Sequence, residues 1–394
     1  MKIQMNNFMN NFIFKCPTKV VFGVNQALNL DSILAPQKWK KIFIVTDKVI
    51  EATLTFQAIV EKLEADGYEC FVYSDTVADP PIEVCDKAAE VLKKSNSDAV
   101  LAIGGGSSID TAKAMGMLAT NEGSIRDYLF GGTKTVTNKP LPLICIPTTA
   151  GSGSEVTASS VITDTQNDIK LSVTHEFLTP LYAVVDPVMH KGMPPIITAS
   201  TGMDALTHAI EAYVSLNANI LSDAYAEKAM VLISENIRTA TFNPENITAR
   251  SNMALASLMA ATAFVNGGLG AVHGIAQAMG GIAHTPHGIA NSLLLPYVME
   301  MNLPGNIEKF ANIARMLGCK IEGLSKRDQA ELAVEAVSQM VIDLRIPRKL
   351  TEVKVTKEMF PVIVKGTMEY RLLAVNPVKV REEDVYAILN KAYD

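Results

Sequence analysis

The 394-residue sequence contains no CxxC pair, no run of basic residues, and no internal repeat or low-complexity linker. Its five cysteines, Cys16, Cys70, Cys85, Cys145 and Cys319, are odd in number and scattered. That pattern argues against a disulfide framework and for reduced thiols. A net charge of −6 without a basic run gives solubility and does not suggest a nucleic-acid surface. The longest apolar stretch, MALASLMAATAF, is interrupted by serine and falls short of the roughly 20 residues a membrane span needs. The first residues, MKIQMNNFMNNFIF, lack the continuous apolar core of a signal peptide. The expectation is a soluble, cytoplasmic protein with neither nucleic acid nor membrane as partner.

What is present fits an ordinary globular chain: 48% of residues are apolar and 19% charged, and the length exceeds what one core supports. Two domains are expected. The first half alternates apolar runs (KIFIVTD, CFVYSD, DAVLAIGGG, LPLICIPTT, LYAVVDP) with helical patterns such as IEVCDKAAEVLKKS. Near-continuous apolar strands separated by helices predict a parallel sheet covered on both faces. After Pro187 the spacing changes to 3.6, in TGMDALTHAIEAYVS, SDAYAEKAMVLISENIRTA, ARSNMALASLMAATAF, SKRDQAELAVEAVSQMVIDL and REEDVYAILNKAY. The sequence predicts a Rossmann-like α/β domain over 1–187 and an all-helical domain over 188–394, with chemistry in a cleft between them.

Within LAIGGGSSID an apolar strand ends in three glycines and restarts as a helix. Bare backbone N–H groups and a positive helix end suit a phosphate, with Ser107 and Ser108 as caps and further donors. A purely structural turn is the alternative. The pattern is not GxGxxG, and the best candidate acid for a ribose, Asp47, precedes the glycines instead of following them.

The chain has six histidines. Asp204 and His208 stand four apart, on one face of a helix. His273, His284 and His287 follow in a glycine-rich, helix-like stretch. One carboxylate and several imidazoles suit zinc or ferrous iron better than magnesium or calcium. The spacing alone does not say which of the three later histidines are ligands.

Taken together, PTKVVFG, IVTDK, AIGGGSSIDTAK, IPTTAGSGSEVT, GMPP, GMDALTHAIEAYVS, GLGAVHGIAQAMGGIAHTPHGIANSLLLP and the final NP resemble the iron-containing (group III) alcohol dehydrogenases over nearly the whole chain. The resemblance implies a dehydroquinate synthase-like architecture with an NAD-binding first domain. It implies metal ligands at Asp204, His208, His273 and His287, acting in catalysis through the metal, and leaves His284 structural. The metal would be Fe2+, with Zn2+ or Mg2+ as alternatives. For NAD it implies Asp47 at the adenosine ribose and Gly105, Gly106 and Ser107 at the pyrophosphate. Thr148, Thr149, Ser152, Ser154, Val156 and Lys170 would line the rest, and Asp79 stands where an asparagine is common beside the cofactor. Phe264 and Ser159 would line the substrate pocket. Gln277 takes the place of a family histidine near the nicotinamide, and NPV replaces the usual NPR.

The activity implied is interconversion of short-chain primary alcohols or diols with their aldehydes. A divalent ion would polarise the alcohol oxygen while hydride passes to NAD. A homodimer or higher homo-oligomer is expected. A lyase of the same architecture would need a basic phosphate-binding set, and the metal-bearing segments are almost devoid of Lys and Arg. A non-catalytic nucleotide sensor would have no need of four intact ligands.

Overall fold

The computed structural model of the protein describes residues 11–393. They form two compact units: Pro17–Met193, and Pro194 onward together with the described N-terminal residues up to Cys16. The turn Pro187–His190 belongs with the first unit, where the Asp186 carboxylate accepts from Val188 N (3.0 Å) and the Pro147 carbonyl bonds the His190 ring (3.0 Å). The unit break thus falls a few residues beyond a division at 187.

The first unit runs β1 (Lys19–Phe22), α1 (Asp31–Leu34), β2 (Lys41–Val45), α2 (Lys48–Glu51), α3 (Leu54–Ala65), β3 (Glu69–Tyr73), α4 (Ile82–Ser95), β4 (Ala99–Gly104), α5 (Gly106–Leu118), β5 (Leu143–Pro147), β6 (Ser159–Asp164), β7 (Ile169–Thr174) and β8 (Tyr182–Val185). Six strands form one parallel sheet in the order β1-β8-β5-β4-β2-β3. The apolar runs are continuous because both faces are covered. Phe43, Val45, Val100, Ala102 and Cys145 enter one core, while Ile42, Ile44, Leu101, Ile103, Ile144 and Ile146 enter the other. This is the period-2 alternation of a strand, and each fully buried isoleucine contributes about 1.5–3 kcal/mol.

Two elements escaped the sequence pattern. Edge strand β1 is short, with Lys19, Val20 and Phe22 exposed. The β6–β7 pair is an antiparallel hairpin outside the main sheet, its sides buried unevenly.

Winding runs outward from β2 to β3, returns to β4 on the other side of β2, and continues to β5. The switch point therefore lies between β2 and β4. In open parallel sheets, ligands sit at the carboxyl ends of the strands at such a point. Asp47 follows β2 there, and Gly105 follows β4.

Beneath the glycine loop lies a buried polar cluster. Lys113 on α5 donates to Ser154 Oγ (2.8 Å), Thr157 Oγ1 (2.9 Å) and the Ser159 carbonyl (2.8 Å), which uses all three ammonium protons. Asp110 accepts from Ser154 Oγ (2.5 Å) and Val161 N (2.9 Å). Burial pushes the Asp110 carboxyl up and the Lys113 ammonium down. Burial also pushes the neighbouring Glu155 carboxyl up to about 7. The cluster ties α5 to the GSGSEVT segment and to β6.

The second unit contains α6 (Pro195–Val214), α7 (Ile220–Phe242), α8 (Ile247–Gly267), α9 (Ala271–Ile282), α10 (His287–Asn302), α11 (Ile307–Met316), α12 (Lys326–Asp343), α13 (Phe360–Met368) and α14 (Glu382–Tyr393). No strand occurs here among the described residues. The N-terminal segment joins this unit: Phe14 stacks on Tyr225, and Lys15 pairs through its backbone with the Asn266 amide. Helix α6 is buried nearly all round and packs on α7, α8 and α10, as expected of a helix apolar on every side. A methyl at Gly202 would lie 2.8 Å from Met253 and 2.9 Å from Ile237. A side chain there would have to displace the tips of Met253 on α8 and Ile237 on α7. Among the described residues no single helix is long and apolar enough to cross a membrane.

Candidate metal centre and cofactor-binding loops

Asp204 and His208 project from one face of α6, one turn apart. The stretch with three further histidines is not one helix. It breaks into α9, carrying His273, and α10, which begins at His287. His284 lies in the intervening loop, exposed, in the left-handed region at φ 50. Two close approaches bring His273 and His287 to α6. A methyl at Gly288 would lie 2.7 Å from the Ser200 carbonyl, and one at Gly270 would lie 3.1 Å from Glu211 Oε1.

The imidazole Nε2 atoms of His208, His273 and His287 stand 3.9, 3.8 and 3.8 Å from Asp204 Oδ1. Ligand atoms about 2.1 Å from a common ion lie roughly 3.4 Å apart in a tetrahedron, so this ring is slightly open but of the right size. Asp204, His208 and His273 are buried, whereas the His287 side chain is 40% exposed. One carboxylate and three imidazoles match a borderline divalent cation. Burial pushes the Asp204 carboxyl up, but the three imidazoles and a bond from Asn291 outweigh it and hold it below its ordinary value. For His273, burial lowers the pKa, and the Glu211 carboxylate more than reverses it.

Glu211 was missed in the sequence, although it completes an i, i+4, i+7 series with Asp204 and His208 on α6. Its Oε2 accepts from His273 Nδ1 (2.6 Å) and its Oε1 from Val272 N (2.7 Å). A proton therefore sits on Nδ1, and the neutral ring would turn its Nε2 lone pair toward the donor ring; such an outer carboxylate orients a metal-binding histidine. Asn376, of the NP pair near the C-terminus, accepts from Ala271 N (3.1 Å) and so anchors the start of α9. The Phe264 ring lies 4.6 Å from that of His208, and Gln277 follows His273 by one turn on α9.

In the sheet unit, Asp47 caps α2: its Oδ1 accepts from Val49 N and Ile50 N, both at 2.9 Å. Its Oδ2 makes no hydrogen bond among the described residues. Gly105, not a serine, is the N-cap of α5. Ser107 and Ser108 fall inside the first turn, where Ser107 Oγ accepts from Asp79 N (3.2 Å) and Ser108 Oγ meets Thr76 Oγ1 (3.0 Å). The expectation that these serines cap the helix is corrected accordingly.

The three glycines differ. A methyl at Gly104 would lie 2.6 Å from the Ser108 side chain, and one at Gly106 would lie 2.8 Å from Ser152 Oγ. Packing within the protein thus accounts for both. A methyl at Gly105 would meet only Thr149, at an ordinary 3.4 Å, and its φ of −75 suits any residue. No protein atom explains the glycine at 105.

Thr148 is buried and its N–H donates to the Gly104 carbonyl (3.0 Å); Val156 is buried in the short turn Ser154–Val156. The Ser154 hydroxyl is already held by Asp110 and Lys113. Asp79, at φ 50, accepts from Lys170 Nζ at 2.6 Å. Ser159 lies on β6 with its hydroxyl 2.9 Å from Thr174 Oγ1.

An open parallel sheet with a glycine loop at its switch point, and a helical unit gathering one carboxylate and three imidazoles, define a protein built around a divalent metal. Residues 17–187 match the iron-containing alcohol dehydrogenase model and residues 198–393 the C-terminal model of the Fe-containing alcohol dehydrogenase family. The chain belongs to the iron-containing alcohol dehydrogenase family. It is 38% identical to an NAD-dependent methanol dehydrogenase of Bacillus methanolicus, over 98% of this chain and 100% of that one. It is also 38% identical to a 1,3-propanediol dehydrogenase of Citrobacter freundii, over 90% and 92% of the two chains. The crystal structure of a 1,3-propanediol oxidoreductase superposes with a TM-score of 0.94 at 36% identity, covering 98% of this chain and 100% of that one.

Proposed function

We propose that the protein interconverts short-chain primary alcohols or diols and their aldehydes, with NAD as the hydride carrier and ferrous iron as the metal. The observation that carries the reading is the ring of three Nε2 atoms around Asp204 Oδ1. When bound, the ion supplies Lewis-acid polarisation of the substrate oxygen and NAD supplies the hydride acceptor. Asp204, His208, His273 and His287 hold the ion, and Glu211 keeps His273 in the tautomer that binds. Phe264, packed beside His208, gives an apolar wall that favours short carbon chains. Gln277 cannot take up a proton near neutral pH, so the proton leaves by another route. Backbone N–H groups from Gly105 to Ser107 receive the pyrophosphate, and Asp47 Oδ2 accepts from the ribose hydroxyls. Thr148, Thr149, Ser152, Val156, Asp79 and Lys170 frame the remaining cofactor surface. A panel of alcohols and diols run on iron-, zinc- and magnesium-reconstituted protein, read by reduced-nicotinamide absorbance, tests the reading. No turnover with any alcohol on any metal would end it.

Two predictions belong to the sheet unit. Gly105→Val is expected to weaken NAD binding by about tenfold or more, or ~1.4 kcal/mol, with metal content unchanged. The backbone at φ −75 tolerates valine, so the loss would come from two methyls on the phosphate path. Unaltered NAD affinity in a titration would return Gly105 to a plain turn. Asp47→Gly is expected to relax a wild-type preference for NAD over NADP, because a carboxylate repels a 2′-phosphate. As an N-cap, glycine in place of aspartate costs only a few tenths of a kcal/mol, so folding is retained. The kcat/KM ratio for the two cofactors checks it, and a wild type indifferent to the 2′-phosphate would refute it.

A further inference from the structure

Residues 148–158 join β5 to β6 and contain only the short turn Ser154–Val156. They lie against the glycine loop: a methyl at Gly105 would meet Thr149 at 3.4 Å, and one at Gly106 would lie 2.8 Å from Ser152 Oγ. Among the described residues, the backbone of 149–157 bonds only within its own turn, Val156 N to the Gly153 carbonyl (3.0 Å) and Thr157 N to that of Ser154 (3.3 Å). Side chains must therefore set its path. The Lys113 ammonium, fully buried on α5, reaches Ser154 Oγ, Thr157 Oγ1 and the Ser159 carbonyl. The direction of each bond follows from the partners. Ser154 gives its proton to the Asp110 carboxylate, Thr157 gives its own to the Ser154 carbonyl (3.4 Å), and a carbonyl only accepts. All three partners thus accept, and they take all three ammonium protons.

We propose that Lys113 is a positioning residue for the dinucleotide: its ammonium fixes residues 148–158 against the glycine loop, so that both walls of the cofactor path are in place before NAD arrives. The inference rests on the NAD reading above. A buried ammonium and carboxylate are costly to desolvate, and apolar residues in their place often leave a protein as stable or more so. The contribution of Lys113 is therefore geometric. It stands on the helix that opens at the glycine loop, and its bonds end on the opposite segment, so the two move as one. A surface ordered in advance spares the ligand the entropy of ordering it. Asp110 supports the arrangement: it lies 3.8 Å from the ammonium and also holds Val161 N at the start of β6.

The test compares wild type, Lys113→Met and the double variant Lys113→Met with Asp110→Asn by NADH titration, thermal unfolding and metal analysis. Lys113→Met strands a buried carboxylate, so its Tm should fall, and NADH should bind about tenfold or more weakly with metal content unchanged. The double variant removes the stranded charge. Its carboxamide can accept from Val161 N and donate to the Ser154 hydroxyl, which Lys113 no longer occupies. Its Tm should recover while NADH affinity stays low, and it carries the test should the single variant not fold. In the NAD-free double variant, amide hydrogen exchange should quicken over residues 148–158 and not in β4. NADH affinity that returns with the Tm would reduce Lys113 to a stabilising role and overturn the proposal. Exchange that quickens evenly through the sheet unit would overturn it as well. Wild type that binds no NADH would refute the NAD reading itself and this inference with it.

Discussion

His287→Ala is expected to lose bound metal and turnover together, while His284→Ala keeps most of both. The two histidines are three residues apart in sequence but differ in place. His287 opens α10 and brings Nε2 to 3.8 Å from Asp204 Oδ1. His284 stands in the exposed loop before it. Outer-shell partners of a metal ligand cost about 10–100-fold in affinity when removed, and a direct ligand should cost more. Because the His287 side chain is 40% exposed, its removal opens a gap that water fills, so folding survives. Metal analysis by mass spectrometry, with initial rates on the same preparations, reads both effects. Metal lost from the His284 variant and kept in the His287 variant would reverse the assignment.

Glu211→Gln should weaken metal binding by about 10–100-fold. The carboxylate has two acceptor oxygens, one for Val272 N and one for His273 Nδ1. Glutamine has a single acceptor oxygen and an N–H₂. One of the two N–H groups must then face another donor in a buried site, which costs about 1–3 kcal/mol. If the backbone keeps the oxygen, His273 is pushed toward the tautomer that puts its proton on Nε2, where the ion must bind. Chelator competition measures the affinity, and NAD binding serves as the control that should not change. Metal affinity equal to wild type would show that Glu211 does not orient the ligand.

Much of this architecture is legible in the linear chain because its causes are local. Strands buried on both faces need unbroken apolar runs, and β2, β4, β5 and β8 carry them. Helices on a common core need apolar residues every 3.6 positions, and the second half repeats that spacing. Asp204 and His208 are joined by helix geometry alone, so four residues of separation place them on one face. Edge strand β1 and the β6–β7 hairpin are half exposed, so their side chains carry no such continuous signal.

The pieces the sequence could not supply are those set by contacts between distant segments. The triplet of glycines reads as one unit, yet Ser108 and Ser152 require two of them and no protein atom requires Gly105. Glu211 and Asn291 look like ordinary polar residues on helices until α9 and α10 fold onto α6, which brings His273 to Glu211 and Asp204 to Asn291. By itself the sequence determined the element types, the two-part organisation and the residue types able to bind a metal, because each follows from periodicity or side-chain chemistry. Only the tertiary structure decided which of the three later histidines stand beside Asp204. That depends on the break before His287 and on Gly288 letting α10 touch the α6 backbone at Ser200.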